Sequence, residues 1–212
     1  MSKIKEIKAY YESNMGEDIP EYRILGWESK DAQDLRFEAF VSNVRLEGRK
    51  ILDVGCGLGG LLDYLNEINI KVHYTGVDIL GSIINHARKK NPDALFYNLD
   101  IFRCNPFNKG SFDVVYASGI FNLNLGNNKD FLVRALKLFL KLSGSVVAFN
   151  LLHCGSKNKE GRYCYFNPDE VRSMLLEGDF KGIGDTEIIE GYLHNDFTVI
   201  LRKDNDKQVY SE

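Results

Sequence analysis

The run from Ile51 to Leu65, ILDVGCGLGGLLDYL, sets a carboxylate, Asp53, just before a turn built from Gly55, Gly57, Gly59 and Gly60. Ile51, Leu52 and Val54 form the apolar, partly β-branched run of a buried parallel strand, and Leu61, Leu62 and Leu65 then recur at helical spacing. Glycines between them let the backbone turn sharply with a ligand pressed against it. A turn of this kind aims free N–H groups from a helix start at whatever lies above the strand ends. In open α/β sheets that crevice is where ligands bind.

Two cofactor classes suit the glycines. Gly55, Gly57 and Gly60 satisfy G-x-G-x-x-G, and Asp78 follows at about the 20-residue distance of a ribose-binding acid, as in NAD(P)-dependent oxidoreductases. Asp53 points the other way. A pyrophosphate needs N–H groups, whereas a carboxylate beside them suits an ammonium or fixes the loop. S-adenosylmethionine carries an ammonium, a ribose diol and an adenine, but no phosphate.

From about Trp27 to Lys203 the chain resembles the class I S-adenosylmethionine-dependent methyltransferases. Four motifs carry the resemblance: LDVGCGLG, YTGVDIL (Tyr74 to Leu80), FYNLDIF (Phe96 to Phe102) and FDVVYASGIFNL (Phe112 to Leu123). The resemblance implies that Asp53, Gly55, Cys56 and Gly57 hold the methionine part and Asp78 the ribose hydroxyls. It implies Ile79 against the adenine, Asp100 and Ile101 at its edge, and Ser118 and Gly119 at the end of the fourth strand. A pattern like Trp27, Gln33, Arg36 and Phe37 precedes the first strand in relatives and borders the cofactor. Arg36 is thus a candidate partner for the methionine carboxylate, or else a surface helix charge. Cys56 is read as a small residue where bulk would block the cofactor, although a helix N-terminus could also lower its pKa. The implied product is S-adenosylhomocysteine.

Methyl transfer from a sulfonium is an in-line displacement by a nucleophilic acceptor atom. The protein must hold the acceptor at near-attack distance and manage one proton, which an anionic acceptor does not require. Acceptor-side candidates lie at strand ends: Phe121 and Asn122 after the fourth strand, Asn150 and His153 with the fifth. His153 is the candidate base, because imidazole titrates near neutrality. Lys157, Lys159 and Arg162 make the following loop basic, which favours an anionic acceptor. Tyr163, Tyr165 and His194 are candidate pocket walls; His73 and His86 read as structural. The expectation is methylation of a small, anionic metabolite, on oxygen rather than nitrogen. SGIFN resembles bacterial methyltransferases of sugar and surface-polysaccharide modification, including capsular phosphoramidate methylation. A non-catalytic cofactor-binding module is the remaining alternative.

These groups must be positioned by strands and helices that alternate from Lys50 onward, which implies parallel pairing with helices on both faces. Strands are expected at Ile51 to Val54, Tyr74 to Val77, Leu95 to Leu99, Phe112 to Ala117 and Ser145 to Leu151. Thr186 to Ile189 and Phe197 to Leu201 read as a closing hairpin. The expected fold is α/β, a doubly wound Rossmann-like seven-stranded sheet, mostly parallel with an antiparallel last strand. One domain is expected: an N-terminal helical cap (1–49), the core (50–203) and a polar tail (204–212). Ser29 or Asp31 caps a helix carrying Phe37 and Phe40, and Asn167 with Pro168 starts another.

The chain has 212 residues, 44% of them hydrophobic, enough for a substantial core. Its formal net charge of −3 lacks the footprint of a nucleic-acid binder. The start, with Lys3, Lys5 and Lys8 interrupted by Glu6, has no signal-peptide run, and no stretch approaches about 20 apolar residues. A cytoplasmic protein, monomeric or homodimeric, is expected. Cys56, Cys104, Cys154 and Cys164 form no C-x-x-C pair, so no metal site is expected.

Overall fold

The computed structural model describes residues 3–13 and 19–204. The polar tail beyond Asp204 lies outside them. Three helices come first, α1 (Lys3–Glu12), α2 (Glu21–Ile24) and α3 (Lys30–Val41). Strands and helices then alternate: β1 (Lys50–Val54), α4 (Gly60–Glu67), β2 (His73–Asp78), α5 (Gly81–Lys90), β3 (Leu95–Asn98), β4 (Phe112–Ala117), α6 (Asn128–Leu142) and β5 (Ser143–His153). The chain continues with β6 (Tyr165–Phe166), α7 (Pro168–Glu177), β7 (Ile183–Ile189) and β8 (Asp196–Lys203).

One sheet runs β3-β2-β1-β4-β5-β8-β7, with β6 paired to β5. β8 is antiparallel to both neighbours, and every other pairing is parallel. The continuous path has the seven strands expected, and the short β6 adds an eighth off that path. The extra one exists because β5 outruns β4: the β4 pairing stops at Phe149, and Tyr165 and Phe166 pair with Leu152 and His153 beyond it.

Period-two alternation sends β-strand side chains to two cores. Ile51, Val114, Tyr116, Val146 and Ile200 pack with α3, α4 and α5 residues such as Phe40, Leu65 and Ile84. Leu52, Val115, Val147, Phe149 and Val199 pack with Leu136 and Phe139 of α6 and Val171 of α7. Helices therefore cover both faces, the arrangement a buried parallel sheet requires. The cap residues act as the sequence implies: Ser29 accepts from the Ala32 N–H at 3.0 Å, and Asn167 from Asp169 at 2.9 Å.

α3 seats the N-terminal segment on the sheet. Phe40 is fully buried and stacks on Tyr116 of β4, ring centroids 4.3 Å apart. Removing that ring leaves a cavity against a strand of the active edge. Phe40→Ala is expected to destabilise the fold by about 3–5 kcal/mol in urea unfolding, while Leu176→Ala, at an exposed position, changes it by less than about 0.5 kcal/mol.

Candidate active site

Register decides what meets at the sheet edge. Asp53 of β1 sits opposite Gly76 of β2 and Tyr116 of β4, and Val54 opposite Val77 and Ala117. The three strands end level, so the glycine turn, Asp78 and Ser118 emerge together. Gly55 adopts φ +75°, and a side chain there would sit 2.2 Å from Ile120. The first N–H groups of the turn are already bonded within the chain. Gly55 and Cys56 donate to the Val77 carbonyl at 2.8 and 3.2 Å, and Gly57 donates to Asp78 Oδ2 at 3.1 Å. A carboxylate thus occupies the place where a dinucleotide site needs donors for a pyrophosphate.

Above this edge lies a cavity of about 310 Å³. Trp27, Asp53, Gly55, Cys56, Gly57, Asp78, Ile79, Asp100, Ile101, Ser118 and Gly119 all line it. So do Tyr11, Leu25, Gln33, Phe37, Leu80, Ile83, Tyr116 and Arg134, which sequence reasoning did not select as site residues. Gln33 did carry a signal, as part of the pattern around Trp27 and Arg36. Tyr116 carried none, because an alternating strand residue reads as core.

Burial shifts two of the cavity's carboxylates, Asp53 and Asp78. Asp53 accepts the Tyr74 hydroxyl at 2.6 Å, yet burial, reinforced by the nearby Asp78 charge, pushes its carboxyl up to about 7. Asp78 is also raised by burial, although N–H groups of Leu80, Gly57 and Ile79 oppose this. Burial, then the charges of Asp53 and Asp78, push the Cys56 thiol well up, so the helix terminus does not activate it. Tyr11 stays a neutral hydroxyl for the same reason: burial first, then Asp78.

Other residues singled out from sequence stand elsewhere. Arg36 is buried and ion-paired to Asp196, behind Trp27. Phe121 packs between Phe131 and Phe149 in the core. Asn122 donates its N–H to Gly119 and accepts from Cys164 through its backbone. Asn150 is fully buried between Gly119 and Asp196. The Tyr163 hydroxyl meets that of Tyr10 at 3.1 Å, Tyr165 accepts from the Glu160 N–H, and His194 is exposed. His153 accepts the Gly155 N–H on Nδ1 at 2.7 Å, so neutral imidazole presents its Nε2 proton to Glu190, 3.0 Å away. None of these eight lines the cavity.

An adenosyl ligand fits the wall that remains. Asp78 offers a carboxylate to a diol, and Ile79, Leu80, Ile83 and Ile101 offer an apolar slot to a base. The Tyr116 and Ser118 hydroxyls are buried on the same wall and interact with each other.

Comparison with known proteins agrees. A family model described as a methyltransferase domain matches residues 51–144. The Mycobacterium tuberculosis protein named as methyltransferase Rv1506c is 39% identical over 160 residues, covering 72% of this chain and 92% of that protein. Phosphoethanolamine N-methyltransferase of Plasmodium falciparum is 26% identical over 195 residues, 81% of this chain and 72% of that protein. In fold, the magnesium protoporphyrin IX methyltransferase of Synechocystis PCC 6803, solved with bound S-adenosylmethionine, superimposes with TM-score 0.63 at 16% identity over 96% of this chain and 98% of that one. The chain is a member of the class I S-adenosylmethionine-dependent methyltransferases.

Proposed function

We propose that this methyltransferase acts on a small, anionic acceptor whose methylated atom is nucleophilic without help from a protein base. The observation that carries this reading is the composition of the cavity wall. Among its described residues there is no imidazole and no lysine, and the carboxylates are Asp53, Asp78 and Asp100. Arg134 of α6 lines the same cavity and has no ion pair among the described residues. An acceptor whose nucleophilic atom is itself anionic needs no proton removed, and a guanidinium recognises its charge.

In this reading Asp78 holds the ribose hydroxyls, Ile79 and Ile101 flank the adenine with Asp100 at its edge, and Asp53, Gly55, Cys56 and Gly57 cradle the methionine end with Trp27, Ser118 and Gly119. When bound, S-adenosylmethionine supplies the electrophilic methyl carbon. The chain's own task is to exclude water, orient the acceptor and leave its nucleophilic atom unprotonated. Oxygen is the favoured atom. Nitrogen is the second reading, supported by the phosphoethanolamine N-methyltransferase likeness over 81% of this chain. An anionic group on the acceptor is common to both, but a nitrogen acceptor must first lose a proton to solvent, whereas an oxyanion need not.

A panel of carboxylates, phenols, phosphorylated amines and neutral analogues, scored for radiolabelled methyl uptake, tests the acceptor. Label is expected in anionic compounds, with Arg134→Ala raising KM about tenfold or more, the loss of one charged hydrogen bond. Equal labelling of neutral analogues would overturn the reading. Calorimetry tests the cradle. S-adenosylhomocysteine is expected to bind and NAD not to bind, and Asp78→Ala should weaken the former by about 1.5–3 kcal/mol.

Asp53 makes a pH prediction. Its carboxyl titrates at about 7 when folded and near 3.8 when unfolded, so between these values the folded chain holds the extra proton. Stability of the ligand-free protein therefore falls as pH rises from about 4 to 7 and levels off above. Asp53→Asn should remove much of that slope, on the order of 2–4 kcal/mol, with raised Asp78 leaving a remainder. An unchanged stability profile would show that Asp53 is not the titrating group.

A further inference from the structure

Behind the cavity wall, five residues from four separate parts of the chain close a ring. Gly119 donates its N–H to Asn150 Oδ1 at 3.0 Å, and Asn150 Nδ2 donates to Asp196 Oδ1 at 2.8 Å. Asp196 Oδ2 takes the Arg36 guanidinium. That guanidinium lies 4.5 Å from the centre of the Trp27 ring, and Trp27 packs back on Gly119, where a side chain would sit 2.9 Å from the indole. Arg36, Asn150 and Asp196 are at most 3% exposed, whereas Trp27 and Gly119 line the cavity.

The ring has a direction imposed by charge. An ionised carboxylate only accepts, so Asn150 must turn its NH2 to Asp196 and its carbonyl oxygen toward Gly119. That leaves the Gly119 peptide one orientation, N–H inward, at φ +82°. The other arm acts by contact: the planar guanidinium, neutralised by Asp196, supports the indole face. Burying an ion pair with a neighbouring amide is costly compared with an apolar core, and Arg36 Nε is left without a partner. Stability alone does not account for this set.

We propose that Arg36, Asp196 and Asn150 are positioning residues: they fix Trp27 and the Gly119 peptide as one rigid wall of the cofactor cavity without touching the ligand themselves. The inference rests on the assignment of that wall to the cofactor, but its first two tests need no ligand.

The Gly119 amide, in a strand-to-helix loop, is expected to exchange with solvent at least a hundredfold more slowly than the unbonded amide of an exposed loop. Fast exchange in the unmodified protein would overturn the proposal even if no variant folds. Trp27 is the single tryptophan of the chain, so its fluorescence reports the other arm directly. Asn150→Ala should abolish Gly119 protection and shift Trp27 emission to the red, with S-adenosylhomocysteine affinity down about tenfold. Arg36→Lys keeps a cation for Asp196 but not the flat face, so it should move Trp27 emission while leaving Gly119 protected. If both variants merely lower the unfolding midpoint, with emission, protection and affinity intact, the three residues are structural and the proposal fails. Failure of the unmodified protein to bind S-adenosylhomocysteine would instead count against the cofactor assignment.

Discussion

Each chemical group at the cavity stands where it does because β1 runs in parallel between β2 and β4 with its end level with theirs. A strand's side chains alternate, so a one-residue slip would exchange its two faces. Asp53 would then leave the cavity for the opposite face, and Asp78 would miss the Gly57 N–H it now accepts. The alternating apolar faces hold the register from both sides, Ile51 and Tyr116 against α3 and α4, Leu52 and Val115 against α6. Packing far from the chemistry thus fixes the chemistry's geometry.

The second constraint is dielectric. Asp53 and Asp78 are pushed upward by burial, which opposes their charged forms in the ligand-free protein. A positive charge bound beside them would oppose that effect, because a cation in a water-poor site favours ionised carboxylates. The same low dielectric strengthens the Arg36, Asp196 and Asn150 contacts behind the wall, and it makes an unmatched donor such as Arg36 Nε expensive.

The sequence carried the local grammar. Glycine-turn chemistry, strand alternation and helix caps are short-range properties, so β1, β4 and the starts of α3 and α7 were readable from Ser29, Asp53, the glycines and Asn167. The ordered acids at Asp53, Asp78 and Asp100 likewise identified the methyl donor, because each lies within two residues of a strand end and parallel strands with crossover helices bring such ends to one edge. What failed was long-range. β6 is a strand only because β5 extends past β4, which depends on pairing length and not on Tyr165 and Phe166 themselves. Arg36 and Asn150 read as ligand contacts because their positions are right to within a residue or two. Which side of the wall they serve was decided by Asp196, distant in sequence and brought alongside by the antiparallel insertion of β8. His153 was placed correctly at a strand end, yet Gly155 and Glu190 claim its two nitrogens. By itself, then, the sequence determined the glycine turn, the strand ends around it and the methyl donor, since those rest on backbone conformation and strand order. Tertiary structure alone decided which polar side chains face the ligand and which face each other, because that choice belongs to partners that only folding brings within hydrogen-bond reach.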